Sequence, residues 1–187
     1  MQIEKILQGH YYHVYNRGNN GQNIFIEDLN YTYFLDLIKK HLTTNFKVFS
    51  YCLLPNHFHL LLKINEACVT PSQKLSNLFN AYTKAINKKY NRTGSLLEKP
   101  FKRIRISNEK YLKTLVLYIH LNPENHQVYK DFTNYKYSSY KSIISEGKTN
   151  IQRKEVISWF DDISNFKEIH QHRKIHLNLK NKKLFLE

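Results

Sequence analysis

The chain has 187 residues, enough for one domain with an appendage, and its hydrophobic fraction of 41% suffices for a core. Its 29 Lys and Arg stand against 15 Asp and Glu, for a net charge of +14, which says nothing about fold but predicts attraction to polyanions, because phosphate contacts release condensed counterions. Two cysteines, Cys52 and Cys68, form neither a CxxC pattern nor a disulfide framework, no apolar run reaches the ~18 residues of a membrane span, and the start after Met1 lacks a signal-like apolar region. These features exclude a disulfide-stapled or membrane-spanning class and point to a reducing cytoplasm. The 14 Tyr and 11 Phe interleave with basic residues, which favours nucleic acid over a merely solvated charged surface.

Residues 9–16 (GHYYHVYN) alternate aromatic or aliphatic with polar side chains and read as a strand. Arg17-Gly18-Asn19-Asn20-Gly21 is a turn that opens on a cation. Its amides can approach a phosphate, and an ordinary connecting loop fits the same residues. Asp28 is placed as the N-cap of a helix over residues 28–41, with Tyr33, Phe34, Leu37 and Ile38 on its buried face. Residues 47–54 and 58–64 are two more strands, joined by Pro55-Asn56 as an antiparallel hairpin. Thr70-Pro71 opens a second helix over residues 71–91, buried through Leu75, Leu78, Phe79, Tyr82 and Ile86, with a basic end of Lys84, Lys88, Lys89 and Arg92.

Residues 101–106 (FKRIRI) alternate and read as a strand with a basic outer face. Residues 109–121 form a third helix, which Pro123 stops, because the residue before a proline is biased away from the helical region. This order predicts an α+β fold: a ferredoxin-like antiparallel sheet with helices packed on one face. Beyond residue 129 the pattern weakens to short helices near 138–141 and 154–160. From residue 166 on, His, Lys and Asn dominate, as in a basic tail that either orders on nucleic acid or stays solvated. The chain is accordingly divided into a domain over residues 1–145 and a basic C-terminal extension over 146–187.

The chemistry gathers at His57-Phe58-His59. Side chains alternate along a strand, so His57 and His59 point to one side and Phe58 into the core. Two imidazoles so placed can hold one divalent cation; on spacing alone, two strand histidines without a ligand are an equal alternative. In the third helix, ~100° per residue gathers Leu112, Leu115, Val116 and Ile119 on the core face, with Tyr111, Tyr118 and Asn122 on the flank. Tyr118 and Asn122 are i and i+4 neighbours. If this helix lies beside the histidine strand, two imidazoles, an amide oxygen and a phenol come together. That set suits a Mg²⁺- or Mn²⁺-type ion with open positions for phosphate oxygens, and a phenolate able to attack phosphorus. Against it stand the 14 tyrosines, most of which must pack or stack, and the reading of Asn122 as a helix stop before Pro123. His120 competes as a ligand but lies ~200° round the helix from Tyr118, and so ranks below Asn122.

His57-Phe58-His59 resembles the histidine-hydrophobic-histidine ("HUH") signature of single-tyrosine endonucleases. More specifically, the chain resembles the REP-associated tyrosine transposases, relatives of insertion-sequence single-strand transposases. The matching stretches are Tyr12-His13-Val14-Tyr15-Asn16-Arg17-Gly18, Leu54-Pro55-Asn56-His57-Phe58-His59-Leu60-Leu61, Tyr90-Asn91-Arg92-Thr93-Gly94-Ser95-Leu96, Pro100-Phe101-Lys102, Tyr118-Ile119-His120-Leu121-Asn122-Pro123 and Ser138-Ser139-Tyr140, in order across residues 11–140.

The resemblance implies a metal-dependent tyrosine nickase and strand transferase that cuts single-stranded DNA next to a hairpin, through a 5′-phosphotyrosine and a free 3′-hydroxyl. It maps His57 and His59 to ligands of a Mg²⁺ or Mn²⁺ ion and Tyr118 to the nucleophile. Asn122 falls on a polar third ligand that is often Gln in relatives and is shorter here. Asn16 and Arg17 match a DNA-contact loop. Tyr137 replaces a common Trp, and Glu124-Asn125-His126 replaces a small-residue ending; neither departure touches the expected chemistry.

Position 114 is Thr and position 122 Asn, so only one tyrosine is on offer there, which favours the single-tyrosine type over relaxases with two. Lys84, Lys88, Arg92, Lys102, Arg103 and Arg105 are assigned to the DNA face. The resemblance implies a prokaryotic, cytoplasmic, nucleoid-associated protein, as a monomer or a homodimer. The reading from a different class is a non-catalytic binder of hairpin DNA or RNA on the same scaffold; intact His57, His59 and Tyr118 weigh against it.

Overall fold

The structure, a computed structural model, describes residues 5–173. Four strands, β1 (Tyr11–Arg17), β2 (Phe46–Leu54), β3 (His57–Ile64) and β4 (Lys102–Ile106), form one antiparallel sheet in the order β2-β3-β1-β4. Pro55-Asn56 turns the β2–β3 hairpin, with Leu54 paired to His57 across it. Helix α1 (Asp28–Leu42) links β1 to β2 and α2 (Pro71–Lys89) links β3 to β4, giving the split β-α-β-β-α-β order of a ferredoxin-like fold. Helix α3 (Glu109–Asn125) follows β4.

Strand alternation decides which side each helix takes. Phe58 meets Phe34 of α1 at 4.9 Å and Phe79 of α2 at 5.2 Å between ring centroids. Its neighbour His59 points the other way and meets Tyr118 of α3 at 5.4 Å. Helices therefore cover both faces of the sheet rather than one. The cause is legible in burial: nearly every residue of β2 and β3 is enclosed, as in a sheet with no wet face.

Three local details differ from the sequence reading. Glu27 rather than Asp28 is the N-cap of α1, and Asn30 Oδ1 accepts from the amides of Ile26 at 2.9 Å and Glu27 at 3.2 Å. The buried face of α1 includes Tyr31, stacked on Tyr137 at 3.7 Å, and leaves Tyr33 half-exposed. Helix α3 passes through Pro123 and ends at Asn125, where the His126 amide donates to the Asn122 carbonyl at 3.0 Å. An interior proline costs ~3 kcal/mol, but residues 115–123 are buried without a break, and that packing outweighs the local penalty.

Helices α4 (Tyr140–Ile144), α5 (Arg153–Ser158) and α6 (Ile163–Arg173) return to the domain. Trp159 stacks on Phe49 at 5.2 Å, and the Tyr11 hydroxyl donates to Glu155 at 2.6 Å. Phe166 and His170 of α6 are fully buried. The start of the expected basic helical tail, from residue 166, thus belongs to α6 and packs on the domain through Phe166 and His170; residues 174–187 lie outside the described residues.

Candidate active site

The face of the sheet under α3 carries the histidines. β1 pairs Arg17 with His57 and Tyr15 with His59, so His13, Tyr15, His57 and His59 share that face. The His57 and His59 rings lie 5.2 Å apart and nearly perpendicular. His57 Nδ1 stands 2.7 Å from Asn56 Oδ1; the amide oxygen can only accept, so Nδ1 carries the hydrogen and Nε2 the lone pair. His59 Nδ1 stands 2.9 Å from His13 Nε2. The Tyr118 ring is edge-on to His59 at 5.4 Å and to His13 at 6.3 Å, and is 8% exposed. The structure thus brings Tyr118 to the histidine pair.

Asn122, one turn beyond Tyr118 on the same stripe of α3, is completely buried, and neither atom of its carboxamide has a hydrogen-bond partner among the described residues. A buried, unsatisfied amide is costly unless a ligand uses it. Among the described residues no group of three His, Cys, Asp or Glu side chains is arranged to hold a metal ion. An ion on His57 and His59 would therefore draw its third protein donor from another side-chain type, and the Asn122 carboxamide has that chemistry. His120 is elsewhere: it is buried against Ser50, Ser139 and His170, at 3.1, 2.8 and 2.9 Å.

A cleft opens beside the pair, bordered by Tyr15, Asn56, His57, His59, Lys102 and His126. Arg17 and Asn16 also reach its wall, yet both are engaged within the protein. Arg17 Nε donates to Glu98 at 2.5 Å; Asn16 Nδ2 donates to the Glu98 carbonyl at 3.0 Å and its Oδ1 accepts from the Arg17 amide at 2.9 Å. The amides of the Gly/Asn turn are likewise used internally: Gly18 donates to Asn56 O at 2.7 Å and Asn19 to Leu96 O at 2.9 Å.

The expected basic face is divided by the sheet. β4 pairs Lys102 with Tyr15, on the histidine side, and its ammonium lies 5.8 Å over the Tyr15 ring. Arg103 and Arg105 alternate to the α2 side, where Arg103 lies over Phe101 at 5.1 Å and lines a groove with Asn80 and Thr83. Lys84 and Lys88 are exposed on α2, and Arg92 bonds to Gln22. Of the basic residues expected at DNA, only Arg17 and Lys102 border the cleft.

Two site residues escaped the sequence reading. His126 meets His57 at 4.6 Å between ring centroids. Its signal was the spacing 118, 122, 126 on one helical stripe, hidden by the expected stop at Pro123. His13 shares a face with His59; its signal was the alternation of Tyr11, His13 and Tyr15, which acquires meaning only once β1 is known to neighbour β3.

Fold and site together define a ferredoxin-like α+β protein with a His–His–Tyr cluster on one face of its sheet. Residues 6–122 match the family of IS200-like transposases, and the chain belongs to that family. In fold it is similar to a REP-associated tyrosine transposase solved bound to a REP hairpin, with a TM-score of 0.68 at 18% identity over 79% of this chain and 86% of that one. A candidate transposase from Deinococcus radiodurans R1 also matches, with a TM-score of 0.44 at 15% identity over 62% of this chain and 93% of that one. No curated protein matches the chain. Among the described residues no helix is long and apolar enough to cross a membrane.

Proposed function

We propose that this family member is a single-stranded DNA endonuclease and strand transferase that recognises hairpin DNA and cuts it through a 5′-phosphotyrosine on Tyr118. The observation that carries the reading is Tyr118 at 5.4 Å from His59, on the sheet face shared with His57. The similar transposase bound to a REP hairpin supports a hairpin substrate, and the net charge of +14 supports a polyanion. We keep residues 1–145 as the catalytic unit, since every cleft residue falls within it, and assign its action to nucleoid DNA in a prokaryotic cytoplasm.

Lys102 and Arg17 draw the backbone to the cleft, and His126 and Tyr15 wall it. A free phenol holds its proton at neutral pH, with a pKa near ~10, and Tyr118 must lose its proton to attack. Its oxygen then bonds to phosphorus, the bond from phosphorus to the 3′-oxygen breaks, and that oxygen leaves as a hydroxyl after taking up a proton. A Mg²⁺ or Mn²⁺ ion held by His57, His59 and Asn122 would supply positive charge that favours the phenolate and offsets charge on the phosphate oxygens. The tyrosyl ester conserves the energy of the broken bond, so a second 3′-hydroxyl can displace Tyr118 and join strands without ATP.

The test is a set of end-labelled hairpin oligonucleotides with single-stranded flanks, incubated with Mn²⁺, Mg²⁺ or chelator and resolved on a denaturing gel. A covalent adduct that needs the ion and Tyr118 supports the proposal. Tight hairpin binding with no adduct under any condition makes the chain a non-catalytic hairpin binder instead.

A further inference from the structure

β1 brings to the cluster a third imidazole, His13, that the chemistry above leaves unused. His13 is 1% exposed, has both Tyr15 at 4.6 Å and His59 at 5.1 Å as neighbours in nearly parallel planes, and sets its Nε2 2.9 Å from Nδ1 of His59.

A 2.9 Å approach of two imidazole nitrogens needs one N–H and one lone pair. Two neutral rings can meet that need in two ways. Either His59 donates from Nδ1, which leaves a lone pair on its Nε2, or His13 donates and His59 keeps its proton on Nε2. Only the first lets His59 bind a cation through Nε2, because the partner of one ring nitrogen decides what the other can do. His57 is already in that form through Asn56 Oδ1. Both rings are 1% exposed, so the bond between them is formed in the protein interior.

We propose that His13 is a positioning residue: it accepts the Nδ1 hydrogen of His59 and so keeps Nε2 of His59 available to a divalent cation, as Asn56 does for His57. The inference rests on the cation site proposed above. It accounts for a buried histidine on β1 that touches neither the cleft nor solvent. It also makes the metal site a product of two neighbouring strands, β3 for the ligands and β1 for the tautomer.

Two measurements test it. Long-range ¹H–¹⁵N spectra of the metal-free protein read the His59 tautomer directly; the hydrogen belongs on Nδ1, and a hydrogen on Nε2 would overturn the proposal. Mn²⁺ affinity, followed by EPR titration without DNA, should fall roughly 10- to 100-fold in His13→Leu. His13→Gln should retain it, because Gln Oε1 can take the place of Nε2 as acceptor. Circular dichroism and melting temperature monitor folding of both variants. An affinity unchanged in His13→Leu, or lost equally in His13→Gln with the fold intact, would overturn the role of His13 alone. A wild-type protein whose Mn²⁺ binding is absent, or survives His57→Ala, would remove the metal site itself and His13's role with it.

Discussion

His120 of α3 and His170 of α6 meet at 2.9 Å, Nδ1 to Nε2, with neither ring exposed. The Phe166 carbonyl, 2.7 Å from His170 Nδ1, can only accept, so His170 donates there and receives at Nε2 the hydrogen of His120 Nδ1. His120 Nε2 then accepts from the Ser139 or Ser50 hydroxyl. This chain of bonds ties α6 and the start of α4 to β2 and α3, two residues beyond Tyr118.

That arrangement predicts a pH dependence of stability. Burial holds His120 well below the usual histidine range, with His170 adding to the effect. Burial also pushes His170 down to about 4 from 6.5, partly offset by the Phe166 carbonyl. Between those values the unfolded chain binds more protons than the folded one. The contribution is therefore complete above about pH 6.5 and is lost as pH falls toward about 4, worth on the order of 3 kcal/mol for His170. Urea unfolding at about pH 7 and about pH 5 checks this, and His170→Leu should flatten the difference.

Asn122→Leu should separate stability from metal binding. Removing an unsatisfied buried carboxamide relieves a cost of about 1–3 kcal/mol, so the metal-free variant should melt at or above the wild-type temperature. Mn²⁺ affinity should drop at least ~10-fold. A clearly less stable variant would mean that the amide is satisfied within the fold.

Tyr118→Phe deletes one oxygen from a packed ring. Adduct formation should fall roughly 10³-fold or more, with hairpin affinity held. Adduct persisting in this variant would move the nucleophile to another tyrosine.

Salt titration reads the DNA surface. Each phosphate-neutralising cation contributes about 0.9 on duplex and about 0.7 on single strand to the slope of log affinity against log salt. Lys102→Gln should take away one such cation and slow cutting, since Lys102 lies on the histidine face. Neutralising Lys84, Lys88, Arg92, Arg103 and Arg105 together should flatten the slope further; an unchanged slope would reject the α2 side as a DNA surface.

Gly18→Ala tests the turn that holds Asn56 beside the cleft. A Cβ there would lie 1.9 Å from the Gln22 carbonyl oxygen, and the Gly18 amide holds Asn56 O. The substitution should cost about 3 kcal/mol and, by displacing Asn56, weaken Mn²⁺ binding. A near-neutral melting temperature would show that the 18–22 loop yields freely.

Local pattern alone determined the strands, the Pro55-Asn56 hairpin, the same-side placement of His57 and His59, and the neighbouring of Tyr118 and Asn122, because periods of 2 and 3.6 are properties of the nearest few residues. Tertiary packing decided the rest. It carried α3 through Pro123, since burial of residues 115–123 outweighs a local steric penalty, and so delivered His126 to His57. Strand neighbours, which no local period encodes, placed His13 on His59 and decided that Lys102, rather than Arg103 and Arg105, lies on the histidine face of the sheet. Contacts between residues far apart in the chain buried Phe166 and His170, where composition alone read a basic tail.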